Sequence, residues 1–263
     1  MDDDLLKNCL SVLGIKEGDI VDVSSDLMSL FFYARKRSIV CKPEHLLNDI
    51  EDMVSESGTV MHRVFNWDFC HGKTFDIRST RSQVGELGNA ALNRVDYRRT
   101  AHPIYSWMVK GTRAEELCNM SNCTSFGEDS PWKFLETHGA KMLVLGNTND
   151  FGLTCLHYIE HECGVDYRYE KQFDAEYIDE SGEKTNRRYS MYVRKLDRQV
   201  LFNKENAMKR LCEREAMHIM LLDNYLTLAV LDYKKTCALI REDFLMGEGS
   251  YWVSVTDLEE NRQ

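Results

Sequence analysis

The run Met142-Leu-Val-Leu145, closed by Gly146, constrains this chain more than any other segment. Consecutive apolar residues ending at a glycine read as a buried strand feeding a turn, and the strand is expected over Ala140 to Leu145. Asn147, Asn149 and Asp150 supply the turn, and a helix opens near Thr154, an acceptable N-cap. On that helix Thr154, His157 and Glu160 recur every three residues, so their side chains share one face. A histidine with a carboxylate one turn away suits an oriented general base. An ordinary helix histidine beside a solvated glutamate fits the same spacing, and both readings stand at this point.

The same strand–turn–helix rhythm runs through the rest of the chain. Leu5 to Leu13 carries apolar residues at helical spacing and stops at Gly14, a C-cap position. Ile20-Val-Asp-Val-Ser-Ser25 reads as a strand entering a polar turn, Lys42 to Val54 as a helix, and Thr59 to Phe65 as the next strand. Residues 72–82 read as loop, Gly85 to Leu92 as helix, and Asn203 to Glu213 as helix. Gln172 to Ile178 alternates, Glu180-Ser-Gly-Glu183 turns, and Arg188 to Val193 alternates back, which predicts a hairpin. A second hairpin is expected from His218–Leu222 and Tyr225–Val230 around Asp223-Asn224. Helices and strands in alternation predict an α/β class, a layered α/β/α core on a mixed sheet. The whole of residues 1–263 reads as one domain, with 170–200 a hairpin insertion forming an added lobe in the C-terminal third.

Composition narrows the function classes. A hydrophobic share of 43% over 263 residues is enough for a real core, and only 3 prolines leave no linker. The net charge of -10 argues against a general nucleic-acid binder, whose footprint is basic. No apolar run has the length of a membrane span. The opening Met1-Asp-Asp-Asp4 lacks the features of a signal peptide, and nine cysteines without framework spacing suit a reducing compartment, so a cytoplasmic location is expected. Oligomeric state is left at monomer or homodimer.

Several motifs fail on inspection. His157 and His161 stand one helical turn apart with Cys163 nearby, but a metalloprotease helix needs glutamate where Tyr158 stands. Without a Cys-x-x-Cys pair to complete a site, no metal is expected. Cys155 and His157 do not face each other on a helix, and Cys70 beside His71 is no better placed, so buried structural thiols are expected. The Gly146 to Gly152 segment lacks the Lys-Ser/Thr of a nucleotide-triphosphate loop, and Gly85-x-x-Gly88 is a fragment of a dinucleotide fingerprint. Hydroxyl-rich turns remain at Ser24-Ser25, Ser79-Thr80 and Ser106. Such groups at strand ends suit the amides and phosphates of an extended cofactor, and they serve equally as helix caps.

Taken in order, these segments resemble the aminoglycoside 3-N-acetyltransferase family, the antibiotic N-acetyltransferases distinct from the GNAT-type fold. The resemblance rests on Leu13 to Ser25, on Gly58-Thr-Val-Met61, and on Phe75-Asp-Ile-Arg-Ser-Thr80 with Ser82 and Gly85. It continues through Arg99-Thr-Ala-His-Pro-Ile-Tyr-Ser106, Phe126-Gly127, Ser130-Pro131, Gly139 to Gly146, and Thr154 to Glu160 with Val165 to Arg168. It covers about residues 10–170 and fades beyond them. The chain departs from the family pattern where Val23 replaces a histidine, Tyr105 replaces the second histidine of the His-Pro block, and Asp166 replaces a proline. The stretch Met61-His-Arg-Val64 also lacks the usual Pro-Thr.

The resemblance implies transfer of an acetyl or other short acyl group from acyl-coenzyme A to a primary amine. Histidine, with an ordinary pKa of ~6.5, suits deprotonation of an ammonium at neutral pH. His157 is therefore the expected base and Glu160 its orienter or a supporting carboxylate, while Thr154, Ser106 or a backbone amide near Ser24-Ser25 would serve as oxyanion donor. Ser24, Ser25, Ser79, Thr80 and Ser106 are the candidate coenzyme A contacts, with Arg78 on the phosphates. The acceptor is expected to be an amino sugar, either a nucleotide-linked biosynthetic one, which the departures from the family pattern favour, or an aminoglycoside. Asp174, Glu176, Asp179 and Glu180 would suit the polycation, and Arg187, Arg188 and Arg194 a diphosphate. A degenerate member that only binds coenzyme A or a partner, and an acyl-coenzyme A hydrolase, are the alternatives.

Overall fold

A computed structural model of the chain describes residues 5–146, 152–247 and 249–258. The expected turn at Asn147, Asn149 and Asp150, and the opening Met1–Asp4, lie outside the described residues. The order of elements is α1 (Leu5–Val12), β1 (Ile20–Ser25), α2 (Leu27–Lys36), α3 (Pro43–Val54), β2 (Thr59–Arg63), a 3-10 turn at Asp68–His71, and β3 (Phe75–Asp76). Then come α4 (Glu86–Leu92), β4 (Arg98–Arg99), β5 (Trp107–Gly111), α5 (Ala114–Cys118), α6 (Pro131–Thr137), β6 (Lys141–Leu145) and α7 (Cys155–Cys163). The chain ends with β7 (Arg168–Ile178), β8 (Lys184–Arg194), β9 (Arg198–Phe202), α8 (Lys204–Glu213), β10 (Met217–Leu222), β11 (Leu226–Asp232), α9 (Tyr233–Gly247) and β12 (Val253–Asp257).

A seven-stranded mixed sheet in the order β10-β11-β6-β1-β2-β5-β4 forms the centre. Strand β1 pairs parallel with both β2 and β6, while β5, β11 and β10 add antiparallel flanks. Because side chains alternate along a strand, the sheet supplies two cores. Val21, Val23, Val60, Leu143, Leu145 and Leu228 point into one cluster with residues of α1, α2, α3 and α4. Met61, Trp107, Met142, Val144 and Leu231 point into the other with residues of α6, α7 and α9. This is the expected layered α/β/α core. The register also carries Asp22, Ser24 and Arg63 to the second face, out of phase with Val21 and Val23.

Strands β7 and β8 pair antiparallel over their full lengths, from Arg168 opposite Arg194 to Ile178 opposite Lys184. The hairpin does not stand off as a lobe. Phe75 and Asp76 of β3 pair with Tyr177 and Ile178, and Ala175, Tyr177, Tyr189 and Tyr192 are buried in the second core. The hairpin β10–β11 turns at Asp223 and Asn224, with φ of 49 and 61. Two successive left-handed residues are what the centre of a type I′ turn demands, here closed by the Tyr225 amide donating to the Leu222 carbonyl within a three-residue loop, and Asp and Asn tolerate that conformation best among non-glycine residues. No helix among the described residues is long and apolar enough to cross a membrane.

Two buried histidines make stability sensitive to acid. His62 is 1% exposed and neither ring nitrogen has a hydrogen-bond partner among the described residues. Burial, with Asp22 opposing and Arg94 assisting, lowers its pKa to about 3. His102 is equally buried and lowered to about 3, its Nδ1 accepting from the amides of Ile104 and Tyr105. The unfolded chain binds these protons near the ordinary 6.5 while the folded one does not until about 3. Stability is therefore complete above the unfolded value and falls as pH drops, by ~1.4 kcal/mol per pH unit for each ring well below it. His62→Phe keeps the aromatic contact with Tyr97 and removes one of the two proton sinks. Urea midpoints measured from neutral to acid pH should fall less steeply in this variant, and an unchanged slope would remove His62 from the account.

Candidate active site

The C-terminal ends of β1, β2 and β6 open together, the edge at which helices of an α/β sheet present their N-termini to a ligand. A cleft of about 300 Å³ lies there, lined by Ser24, Ser25, Arg63, Phe65, Trp67, Val84, Tyr105, Gly152, Thr154 and His157. Helix α7 forms one wall. Thr154 occupies the position before it in helical backbone geometry, φ -62 and ψ -22, and its side chain makes no capping bond. Gly152 has φ +61, and an added Cβ would stand 2.0 Å from Ser24 Oγ and 2.8 Å from Arg63 Nη1. Only glycine lets the chain pass so close above β1 and β2.

His157 and Glu160 meet as their spacing requires. Nδ1 of His157 lies 2.6 Å from Glu160 Oε2, with the imidazole side chain 32% exposed and the carboxylate fully buried. Tyr167 donates to Glu160 Oε1 at 2.8 Å, and Arg168 Nε approaches Oε2 at 2.6 Å. Burial pushes the Glu160 carboxyl up, but His157, Arg168 and Tyr167 together hold it below its ordinary value. An ionised carboxylate only accepts, so it fixes the imidazole proton on Nδ1 and leaves Nε2 as the basic nitrogen.

Beneath the cleft lies a polar cluster that sequence reasoning did not identify. Asp22, in the middle of β1, is fully buried. It accepts from Arg63 Nε at 3.1 and 3.2 Å, from Arg63 Nη2 at 2.5 Å, from Trp107 Nε1 at 2.8 Å and from the Tyr233 hydroxyl. Arg63 Nη1 donates to the Gly152 carbonyl at 2.5 Å. Burial works against the Arg63 charge, but the adjoining Asp22 carboxylate more than offsets it and keeps the guanidinium protonated. Burial and Asp22 push the Tyr233 hydroxyl well above its ordinary value, so it remains a donor.

The remaining sequence-derived residues separate. Ser24 and Ser25 line the cleft. Ser106 does not: it is fully buried, its hydroxyl donating to the Val64 carbonyl and accepting from Arg99 Nε. Its hydroxyl is engaged within the fold, where Arg99 joins Val64, just past β2, to the 77–80 loop through the Ile77 and Thr80 carbonyls. Arg78, Ser79 and Thr80 stand outside the cleft lining. Thr80 Oγ1 accepts from the Asp76 amide, Ser79 donates its amide to the Asp76 carbonyl, and Arg78 pairs with Asp76. Arg78 instead borders a separate cavity of about 220 Å³ with Arg94, Arg98, Arg99 and Glu180. On the hairpin, Asp174 pairs with Arg188, Glu176 with Lys184, and Asp179 caps its own turn.

Fold comparison places this architecture beside acetyltransferases of known structure. The aminoglycoside acetyltransferase AAC(3)-IIb shares 18% identity with a TM-score of 0.74, over 93% of this chain and 97% of that one. AAC-IIIb, solved as a binary complex with CoASH, gives 18% identity and a TM-score of 0.71 over 90% and 94%. AAC-VIa bound to sisomicin gives 16% identity and a TM-score of 0.74 over 94% and 98%. Among curated proteins no sequence matches the chain. Residues 34–228 match the sequence model of aminoglycoside 3-N-acetyltransferases, and the chain belongs to this family of N-acyltransferases.

Proposed function

We propose that the protein transfers an acetyl or other short acyl group from acyl-coenzyme A to the primary amine of an amino sugar, with His157 as general base. The observation that carries this reading is the Glu160–His157 pair on the cleft wall, with Nε2 as its basic nitrogen, in the same cleft as the hydroxyl-bearing Ser24, Ser25 and Thr154. The amine loses a proton to His157 as its nitrogen attacks the thioester carbonyl. The carbon–sulfur bond then breaks and the proton passes to the departing sulfur. Direct transfer is favoured over an acyl-enzyme because none of the residues lining the cleft is a cysteine, and Cys155 is buried beneath it beside Cys237.

Coenzyme A is supported as donor by the CoASH complex of AAC-IIIb, and a cationic amino sugar as acceptor by the sisomicin complex of AAC-VIa. Ser24 and Ser25, which line the cleft, would hold the pantetheine end. The test is mass spectrometry of products formed from acetyl-coenzyme A and a panel of aminoglycosides and nucleotide-linked amino sugars. Mass detection avoids thiol dyes, which nine cysteines would confound. An N-acetylated aminoglycoside is the expected product, and an acylated nucleotide sugar would shift the acceptor to the biosynthetic class. Free acetate without any acylated amine would overturn the transferase reading in favour of a hydrolase.

A further inference from the structure

Resting on the acyl-transfer reading, we infer that Arg63 is a catalytic residue: its outer guanidinium nitrogen polarises the thioester carbonyl and stabilises the oxyanion formed when the amine attacks. Nothing about the sequence pattern demanded a cation here, since Met61-His-Arg-Val64 departs from the usual family stretch. Yet the side chain is built into the site. Nε and Nη2 are both committed to Asp22, and Asp22 is itself held by Trp107 and Tyr233 from β5 and α9. The fork is therefore fixed from behind before any substrate arrives, which is the preorganisation that makes oxyanion stabilisation effective.

The forward nitrogen, Nη1, spends one hydrogen on the Gly152 carbonyl. Its second hydrogen has no acceptor among the described residues, and Arg63 borders the cleft together with Ser24, Thr154 and His157. A guanidinium carries five donors in a rigid fork, so one group can hold Asp22, the Gly152 loop and a developing oxyanion at once. In the reaction, the amine lone pair forms the carbon–nitrogen bond and the carbonyl π pair moves onto oxygen, facing Nη1. That pair returns as the carbon–sulfur bond breaks, and the amine proton leaves through His157 to sulfur. Arg63 gives and takes no proton.

Two variants and one spectroscopic measurement test the assignment. Arg63→Lys keeps a charge beside Asp22 but loses the fork that reaches the cleft. The pair Asp22→Asn with Arg63→Gln removes both charges together, leaving no uncompensated buried ion. Both should lower kcat, the second by roughly 10²–10³-fold, with KM for acetyl-coenzyme A unchanged. In the wild type, the infrared carbonyl stretch of bound [1-13C]acetyl-coenzyme A should shift to lower frequency than in water, and Arg63→Lys should reverse that shift. An active wild type with an unshifted carbonyl, or a folded variant with unchanged kcat, overturns the role of Arg63 alone. A purely structural arginine would raise KM and lower thermal stability without moving the carbonyl band. A wild type without any acyl transfer overturns the acyl-transfer reading and this assignment together.

Discussion

His157→Ala should lower turnover by roughly 10²–10⁴-fold, the range expected for removing a positioned general base, while leaving coenzyme A binding nearly intact. The selectivity follows from the position of the ring. His157 stands on the wall of the cleft and is about one-third exposed, so truncation removes little from the core. Its partner Glu160 is different. That carboxylate is buried, and losing the imidazole still leaves it Tyr167 and Arg168, so the variant should fold. Steady-state kinetics together with calorimetric titration of coenzyme A separate the two effects. Turnover near that of the wild type would remove His157 from the mechanism, whereas loss of coenzyme A binding in step with turnover would make the residue a ligand contact rather than a base.

The pairing of His157 with Glu160 was legible because both belong to one helix, where spacing alone fixes the face. The strands β1, β2 and β6 were legible for a similar reason: each is a short apolar run bounded by glycine or polar turns. What escaped was whatever lacked punctuation or depended on long-range register. Helix α9 begins at Tyr233 directly after β11 ends at Asp232, with neither Gly nor Pro to mark the change. Helix α2 is so densely apolar at Leu27, Leu30, Phe31 and Tyr33 that its period is obscured. Ser106 lies in a matching segment, but it serves the Arg99 tie between loops. Arg78, Ser79 and Thr80, expected from the sequence as coenzyme A contacts, are engaged around Asp76 instead.

The cluster around Asp22 left a readable trace that goes beyond any motif. A carboxylate in Ile20-Val-Asp-Val23 and a cation in Thr59-Val-Met-His-Arg63 each interrupt a buried strand. Charges in such places require partners, and two strands with opposite interruptions are natural neighbours. The sequence could not state that the strands are adjacent and parallel. Once they are, in the register Asp22 opposite Met61, alternation sends Asp22 and Arg63 to the same face.

From that arrangement comes the largest expected effect on stability. Asp22→Ala should cost about 3–5 kcal/mol, the usual penalty for stranding one partner of a buried ion pair. Arg63 would be left charged and without a carboxylate, and the Trp107 indole and Tyr233 hydroxyl would lose their acceptor in the same step. For a chain of this size the loss corresponds to a fall in Tm of roughly 6–20 °C. The double variant Asp22→Ala with Arg63→Met should be less damaged than Asp22→Ala alone, because replacing a whole buried pair by apolar groups is often close to neutral. Urea denaturation of the wild type, both single variants and the double variant gives the coupling directly. Strong coupling with a well-folded double variant would mean that the pair is dispensable for the fold and is retained for the charge it presents to the cleft. If the two substitutions instead add, with the double variant the least stable of the four, Asp22 holds the second core together through Trp107 and Tyr233 independently of Arg63.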